Sequence, residues 1–181
     1  VNSGFQWNGY GATTGKAEVF LGQSYQFLRP QNLPQESGID QEFSDVVGRV
    51  EVAPVDWLTT RYRFRFNVPD TRMKRQEFDI QLGPPELTVS FNYTQLAGNA
   101  NFNGRKQFFA GVSTKIQDYW TASVGASYDA KNTRVNGFSA GFGYNDECFG
   151  SNRSGQYSPS SDTDTSSGKY TGYVTVTFKN L

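Results

Sequence analysis

Three arginines alternate with three aromatic residues between positions 59 and 66 of the chain. The two sets are Arg61, Arg63 and Arg65, and Tyr62, Phe64 and Phe66. Successive side chains of an extended strand point to opposite faces, so this spacing places the arginines on one face and the rings on the other. Guanidinium groups bind phosphates and carboxylates through paired N–H donors. The row therefore predicts either a phosphate contact or a ladder of ion pairs.

A second charged row follows at Arg75, Glu77 and Asp79. On an adjacent strand its carboxylates would face the first row, and oppositely charged pairs across strands are stabilising. An arginine on the lipid face of a membrane sheet costs about 2–4 kcal/mol at the midplane, so in such a sheet both rows would face the lumen. The acidic partners favour the ladder, and a ladder remains compatible with ligand contact.

Cys148 is the single cysteine of the chain. In an exported protein an odd cysteine indicates a disulfide partner outside the visible chain or a free thiol. A buried thiol that packs like a small apolar residue is the alternative. The neighbouring Asp146 and Glu147 favour an exposed turn.

Enzymatic chemistry has little support in the composition. The chain has no histidine and one cysteine, which removes the serine–histidine pair of common hydrolases. Asp146 with Glu147, and Asp162 with Asp164, could hold calcium only loosely, because ligand spacing without a rigid loop is poor support for a site. The 17 basic and 17 acidic residues balance, which argues against nucleic-acid binding. We predict no enzyme, no cofactor, no metal site and no nucleic-acid partner.

The elements that would position these residues are strands. Apolar alternation covers residues 17–27, 46–52, 58–66, 78–82, 87–93, 108–116, 120–128, 138–144 and 172–178. Turn signals fall at 54–56, 68–70, 83–85, 117–118 and 130–132, and longer polar loops cover about 29–43, 97–105 and 158–168. Short links between strands predict antiparallel neighbours in a meander.

Strand length separates a membrane sheet from a soluble one. Most runs approach the 9–11 residues that cross a bilayer at a tilt, whereas soluble strands more often have about 5–6. Aromatic residues lie near the run ends, as interfacial girdles do. Mean hydropathy is −0.61, which a barrel tolerates because only alternate residues need be apolar. We predict an all-β, antiparallel up-and-down transmembrane β-barrel of about eleven strands. The alternatives are a porin-like diffusion barrel or another small outer-membrane barrel, and a soluble β-sandwich binding module.

Residues 149–158 are the weakest strand in this count. Gly150–Gln156 has almost no apolar alternation. The segment is therefore a strand that faces protein on both sides, an irregular strand or a loop.

Several short motifs occur in an order that resembles a known family. They are residues 22–26, 37–38, 44–50, 62–65, 75–77, 144–149 and 178–181. Over residues 16–181 the chain is similar to the C-terminal β-barrel part of the LPS-assembly outer-membrane protein family LptD, in its alphaproteobacterial form.

The resemblance implies a place and a set of partners. Residues 1–181 would be the C-terminal portion of a larger barrel in the cell outer membrane, without the N-terminal barrel half and the periplasmic jellyroll. The barrel would insert lipopolysaccharide (LPS) into the outer leaflet. Its partners would be LPS, outer-membrane lipids, an LptE-like plug lipoprotein, an LptA-like periplasmic bridge protein and the barrel-assembly machinery.

The resemblance also implies roles for single residues. Cys148 would form an interdomain disulfide with a cysteine outside this chain. The last strand would border a lateral gate through Gly172, Val174, Val176 and Phe178. If Leu181 ends in the periplasm, the loop at 158–168 is external and the turn at Cys148 is periplasmic.

Overall fold

The part of the chain that the structure describes contains eleven strands. A computed structural model describes residues 1–12, 14–27, 42–98, 103–159 and 168–179. The strands are β1 (Asn2–Tyr10), β2 (Lys16–Ser24), β3 (Val46–Val55), β4 (Leu58–Asn67), β5 (Arg72–Leu82), β6 (Leu87–Leu96), β7 (Arg105–Ile116), β8 (Trp120–Asp129), β9 (Arg134–Asn145), β10 (Phe149–Ser158) and β11 (Lys169–Phe178). They follow one another in a single sheet of order β1 to β11. The all-β, antiparallel up-and-down prediction is confirmed.

The strands have the length that the sequence predicts for a membrane sheet. They contain between 9 residues, in β1, and 12 residues, in β7. No helix among the described residues is long and apolar enough to cross a bilayer.

The described residues fall into two compact units. The first contains residues 1–80 and 92–106, and the second contains residues 81–91 and 107–181. In the first unit, the register pairs Glu51 with Arg61 and Val50 with Tyr62. Because paired residues share a face, one face of this unit is charged and the other is apolar, as the alternation predicts.

Burial in the first unit is reversed relative to a soluble domain. Phe5 is 58% exposed and Leu21 is 40% exposed, whereas Asp45 and Glu77 are only 5% and 6% exposed. Ala53 is the one buried apolar residue among all described residues. Soluble proteins rarely bury carboxylates while they expose contiguous large apolar side chains.

The second unit has an apolar face and a polar face of mostly small side chains. The register groups Val124 with Ala140 and Trp120 with Tyr144 on the apolar face, where Val124 is 61% exposed. The opposite face carries mostly small residues, for example the Ser123–Gly141 pair.

This arrangement disfavours the soluble β-sandwich. A sandwich buries the apolar faces of two sheets against each other. Here the described strands belong to one sheet, and its large apolar side chains are exposed.

The alternation pattern missed β1 and extended β2 too far, and several other strands are longer than their predicted runs. β1 is absent from the predicted runs, because its apolar residues are interrupted by glycine and asparagine. β2 ends at Ser24, and the predicted extension to Phe27 is wrong: Tyr25 makes only an isolated bridge with Phe43.

The weak segment is resolved as a regular strand. β10 pairs with β9 and with β11 through continuous registers. The interpretation of residues 149–158 as a loop is therefore wrong.

Candidate functional site

The charged face of the first unit begins at Glu51. Arg61 donates from Nε to Oε2 of Glu51 at 2.8 Å, and Nζ of Lys16 lies 3.6 Å from Oε1. The side chain of Glu51 is only 16% exposed. Each of its two oxygens therefore has a cationic partner in place of water. One carboxylate therefore links β2, β3 and β4.

Arg63 continues the face toward β5. Its Nε lies 3.0 Å from Glu77, and its Nη2 lies 3.0 Å from Asp79. Arg75 also contacts Glu77, and Asn92 donates to Asp79. Glu77 is thus shared by two guanidinium groups, and Arg63 is held between two carboxylates.

Asp45 anchors the opposite end of the arginine row. Its side chain is 4% exposed, and Arg65 Nε lies 3.2 Å from its Oδ2. Asn67 donates to the other oxygen at 2.7 Å. The adjacent Ser44 accepts from the amide of Ser24 at 2.8 Å. These contacts fasten the start of β3 to β2 and β4.

The structure places the two predicted charged rows on one face and adds five charged residues. All six residues of the two rows have ion-pair partners there. The added residues are Lys16, Glu18, Asp45, Arg49 and Glu51. The alternation of Arg49 and Glu51 could have indicated Arg49 from sequence. Asp45 precedes the strand, and no sequence signal links it to Arg65.

Cys148 lies in an ordered and exposed turn. Oδ1 of Asp146 accepts from the amides of Cys148 at 2.8 Å and Phe149 at 2.6 Å. The hydrogen bonds from these two backbone amides lower the pKa of Asp146, and the bond from Phe149 has the larger effect. A hydrogen bond from the Tyr144 hydroxyl lowers this pKa further. Lys179 donates to the Asp146 carbonyl oxygen at 2.7 Å and ties the turn to the end of β11. The alternative of a buried thiol is wrong.

The predicted gate residues share one face of β11. The register pairs Gly172, Val174, Val176 and Phe178 with residues 155, 153, 151 and 149 of β10. Val174 and Phe178 are 69% and 65% exposed. Their face includes Arg153, which lies opposite Val174 and Phe142.

No metal site is formed by the part of the chain that the structure describes. Within it, no three His, Cys, Asp or Glu side chains are grouped so that they could hold an ion. Asp162, Asp164, the Ser37–Gly38 motif and the last two residues of the terminal motif lie outside the described residues.

Comparison with protein families decides the relationship. The model of the family LptD, described as LPS transport system D, matches residues 1–104. The chain belongs to the LptD family. The match includes both charged rows and the motifs at 22–26 and 44–50. A search of curated proteins finds no matching relative.

Membership places the chain in LPS transport at the outer membrane. This is a transport role rather than an enzymatic one, and it disfavours the porin-like alternative. The matched region begins before the predicted start of the resemblance at residue 16 and ends before the motifs at 144–149 and 178–181. The alphaproteobacterial form and the C-terminal position in the LptD barrel stay predictions.

Proposed function

We propose that this chain forms part of the wall of a translocon barrel that inserts LPS into the outer leaflet of the outer membrane. The proposal rests on the burial pattern of this LptD-family chain. Its carboxylates are buried among cations, and its large apolar side chains are exposed. In lipid the exposed side chains would be covered, and the charged network would face an aqueous lumen.

The charged network serves first as a structural wall. Its five carboxylates and six cations nearly balance: Glu18, Asp45, Glu51, Glu77 and Asp79 against Lys16, Arg49, Arg61, Arg63, Arg65 and Arg75. Cross-strand pairs of opposite charge stabilise neighbouring strands. LPS would pass beside this wall.

The larger assembly follows from the family relationship. We propose that residues 1–181 belong to the C-terminal portion of a larger barrel whose N-terminal half and periplasmic jellyroll lie outside this sequence. A plug lipoprotein, a periplasmic bridge protein and the barrel-assembly machinery would be its partners, and the outward face of β11 would border the lateral gate.

The turn at Cys148 would be periplasmic and would carry the interdomain disulfide. An exposed thiol tends to be paired in an oxidising compartment. Non-reducing electrophoresis of the full-length protein tests this role. Cys148→Ser should change the mobility, and an unchanged band would remove the disulfide from the proposal.

Depletion of the full-length protein in its own cells tests the translocon role. Labelled LPS at the cell surface should fall while newly made LPS accumulates inside the envelope. A normal amount of surface LPS, together with altered permeability to small solutes, would favour the diffusion barrel instead.

A further inference from the structure

β10 interrupts the apolar face of the second unit with polar and small residues. Every second residue of β10 belongs to that face, from Phe149 to Tyr157. The three residues between these two rings are Ser151, Arg153 and Gly155. None of the three has a large apolar side chain, so the face that we propose to meet lipid is incomplete along this strand.

A groove crosses the apolar face beside Arg153. Its floor is formed by Ala140, Gly155 and Gly172, which are register neighbours in β9, β10 and β11. The Tyr157 and Tyr170 rings, with centroids 4.6 Å apart, border it on one side. Its volume is about 620 Å3, within the range of small-molecule pockets. We call it the β10 groove.

The two glycines keep the β10 groove open. A Cβ atom at Gly155 would have no neighbour within 4 Å, and one at Gly172 would come no closer than 3.9 Å, to the Ser154 carbonyl oxygen. No side chain among the described residues therefore fills this space, and a larger side chain could be introduced at either position without a clash at Cβ.

The width of the β10 groove selects a thin occupant. Arg153 and Tyr157 are four residues apart in β10, which corresponds to about 14 Å along a strand. Their own side chains occupy part of this distance. A helix with its side chains has a diameter of about 10–12 Å and is too wide for the remaining space, whereas a single acyl chain fits.

Arg153 gives the β10 groove a charged edge. Its side chain is exposed, and no carboxylate in the described part of the chain forms an ion pair with it. Its register partners, Phe142 and Val174, are apolar. A charged group in a bilayer costs free energy unless an anion or water satisfies it. The anion must therefore come from the lipid side of the sheet.

A lipid phosphate meets this requirement. Guanidinium groups bind phosphate through two parallel hydrogen bonds, and the long arginine stem lets the charged head reach toward the membrane interface. An acyl chain in the β10 groove exchanges one apolar surface for another, so it contributes packing and little preference. The selectivity of the site is therefore set by the charge of the headgroup.

We propose that the apolar face of β10 binds an anionic glycerophospholipid, with its phosphate on Arg153 and one acyl chain in the β10 groove. The proposal rests on the proposed function only in taking this face to be the lipid-facing side of the barrel. The bound lipid is a component of the bilayer and is separate from the transported LPS.

Native mass spectrometry of the full-length protein, released from detergent with added lipid, tests the site. Phosphatidylglycerol should be retained at about tenfold lower concentration than phosphatidylcholine with the same acyl chains, the difference expected for one charged hydrogen-bonded contact. Arg153→Gln should remove this preference, and Arg153→Lys should restore part of it. Gly155→Leu should weaken the binding of both lipids, because it fills the β10 groove.

Ser154→Leu is the matched control for Gly155→Leu, because it adds the same side chain to the opposite face of the same strand. It should leave the binding of both lipids unchanged. Equal losses in the two leucine variants, or a preference for phosphatidylglycerol that survives Arg153→Gln, would overturn the proposal. Circular dichroism of each variant checks that the sheet is intact.

Stability in vesicles gives an independent measurement. The protein should unfold at a higher urea concentration in vesicles that contain phosphatidylglycerol than in vesicles of phosphatidylcholine alone, because Arg153 gains an anionic partner. Arg153→Leu should remove this difference. A difference of the same size in both proteins would overturn the role of Arg153.

Photo-crosslinking identifies the occupant in cells. Benzoylphenylalanine in place of Tyr170, which borders the β10 groove, should form adducts with phospholipid. Adducts with another protein or with LPS would overturn the assignment to a phospholipid. Failure of the translocon proposal would appear separately, as normal surface LPS after depletion.

Discussion

Glu77 is the residue on which the charged face converges. Its side chain is 8% exposed and contacts both Arg63 and Arg75. A covered carboxylate that loses a cationic partner keeps its desolvation cost. Arg63 and Arg75 are more exposed to solvent than Glu77 is. Solvent screening therefore reduces the free energy that is lost when either arginine is removed.

Arg63→Leu should therefore harm assembly more than transport. The substitution removes partners of both Glu77 and Asp79, and we expect a loss of about 1–2 kcal/mol after screening by solvent. Heat-modifiable mobility of the full-length barrel measures assembly, and surface LPS per assembled barrel measures transport. Lys115→Leu is the control, because Lys115 pairs only loosely, at 3.7 Å, with the exposed Asp118. Normal barrel levels with lost transport would instead assign Arg63 to LPS contact.

Asp146 gives the Cys148 turn a defined response to pH. Hydrogen bonds from the Phe149 and Cys148 amides lower the pKa of Asp146. The stabilisation is thus present above the ordinary aspartate pKa of about 3.9 and is lost as pH falls through the lowered value. Carbon-13 NMR of labelled aspartate should show a midpoint below that of an unfolded peptide. Lys179→Ala should change this midpoint little, because the hydrogen bonds from the two backbone amides lower the pKa of Asp146 more than Lys179 does. A midpoint at the peptide value would contradict this geometry.

The strands show how far the sequence predicts the fold. Alternation located β2 to β9 and β11, because each has an apolar face and a polar face, and it missed β1. It did not settle β10, whose pairing depends on backbone hydrogen bonds to β9 and β11 rather than on a side-chain pattern. The site is predictable to a similar extent: two charged rows of period two predicted Arg63 with Glu77, but Asp45 reaches Arg65 from outside any strand.

The apolar face of the second unit has one arginine near the middle of a described strand. This arginine lies in β10. Arg153 has Val174 and Phe142 as register partners. If that face meets lipid, Arg153→Leu should stabilise the barrel by about 2–4 kcal/mol. Urea unfolding of the full-length protein in lipid vesicles measures the change. Destabilisation would show that a protein or another polar group covers β10. Ser154→Leu, on the opposite face of the same strand, is the control.

Each unit of the sheet has one apolar face and one charged or polar face. The family match places the chain in LPS transport at the outer membrane. The exposed apolar side chains and buried carboxylates agree with a sheet that has lipid on one side and water on the other. All roles proposed for the charged face depend on this orientation.

Spin labels at Val47 and Val50 test the orientation directly. Both residues lie in β3, but Val47 pairs with Arg65 on the charged face and Val50 pairs with Tyr62 on the apolar face. Each is labelled in turn in the full-length protein in lipid vesicles, with native cysteines replaced by serine. The label at 50 should be relaxed mainly by oxygen, which concentrates in lipid, and the label at 47 mainly by a water-soluble nickel complex. Equal nickel accessibility at both positions, or the reverse order, would show that the two faces of β3 are not oriented toward lipid and water in this way.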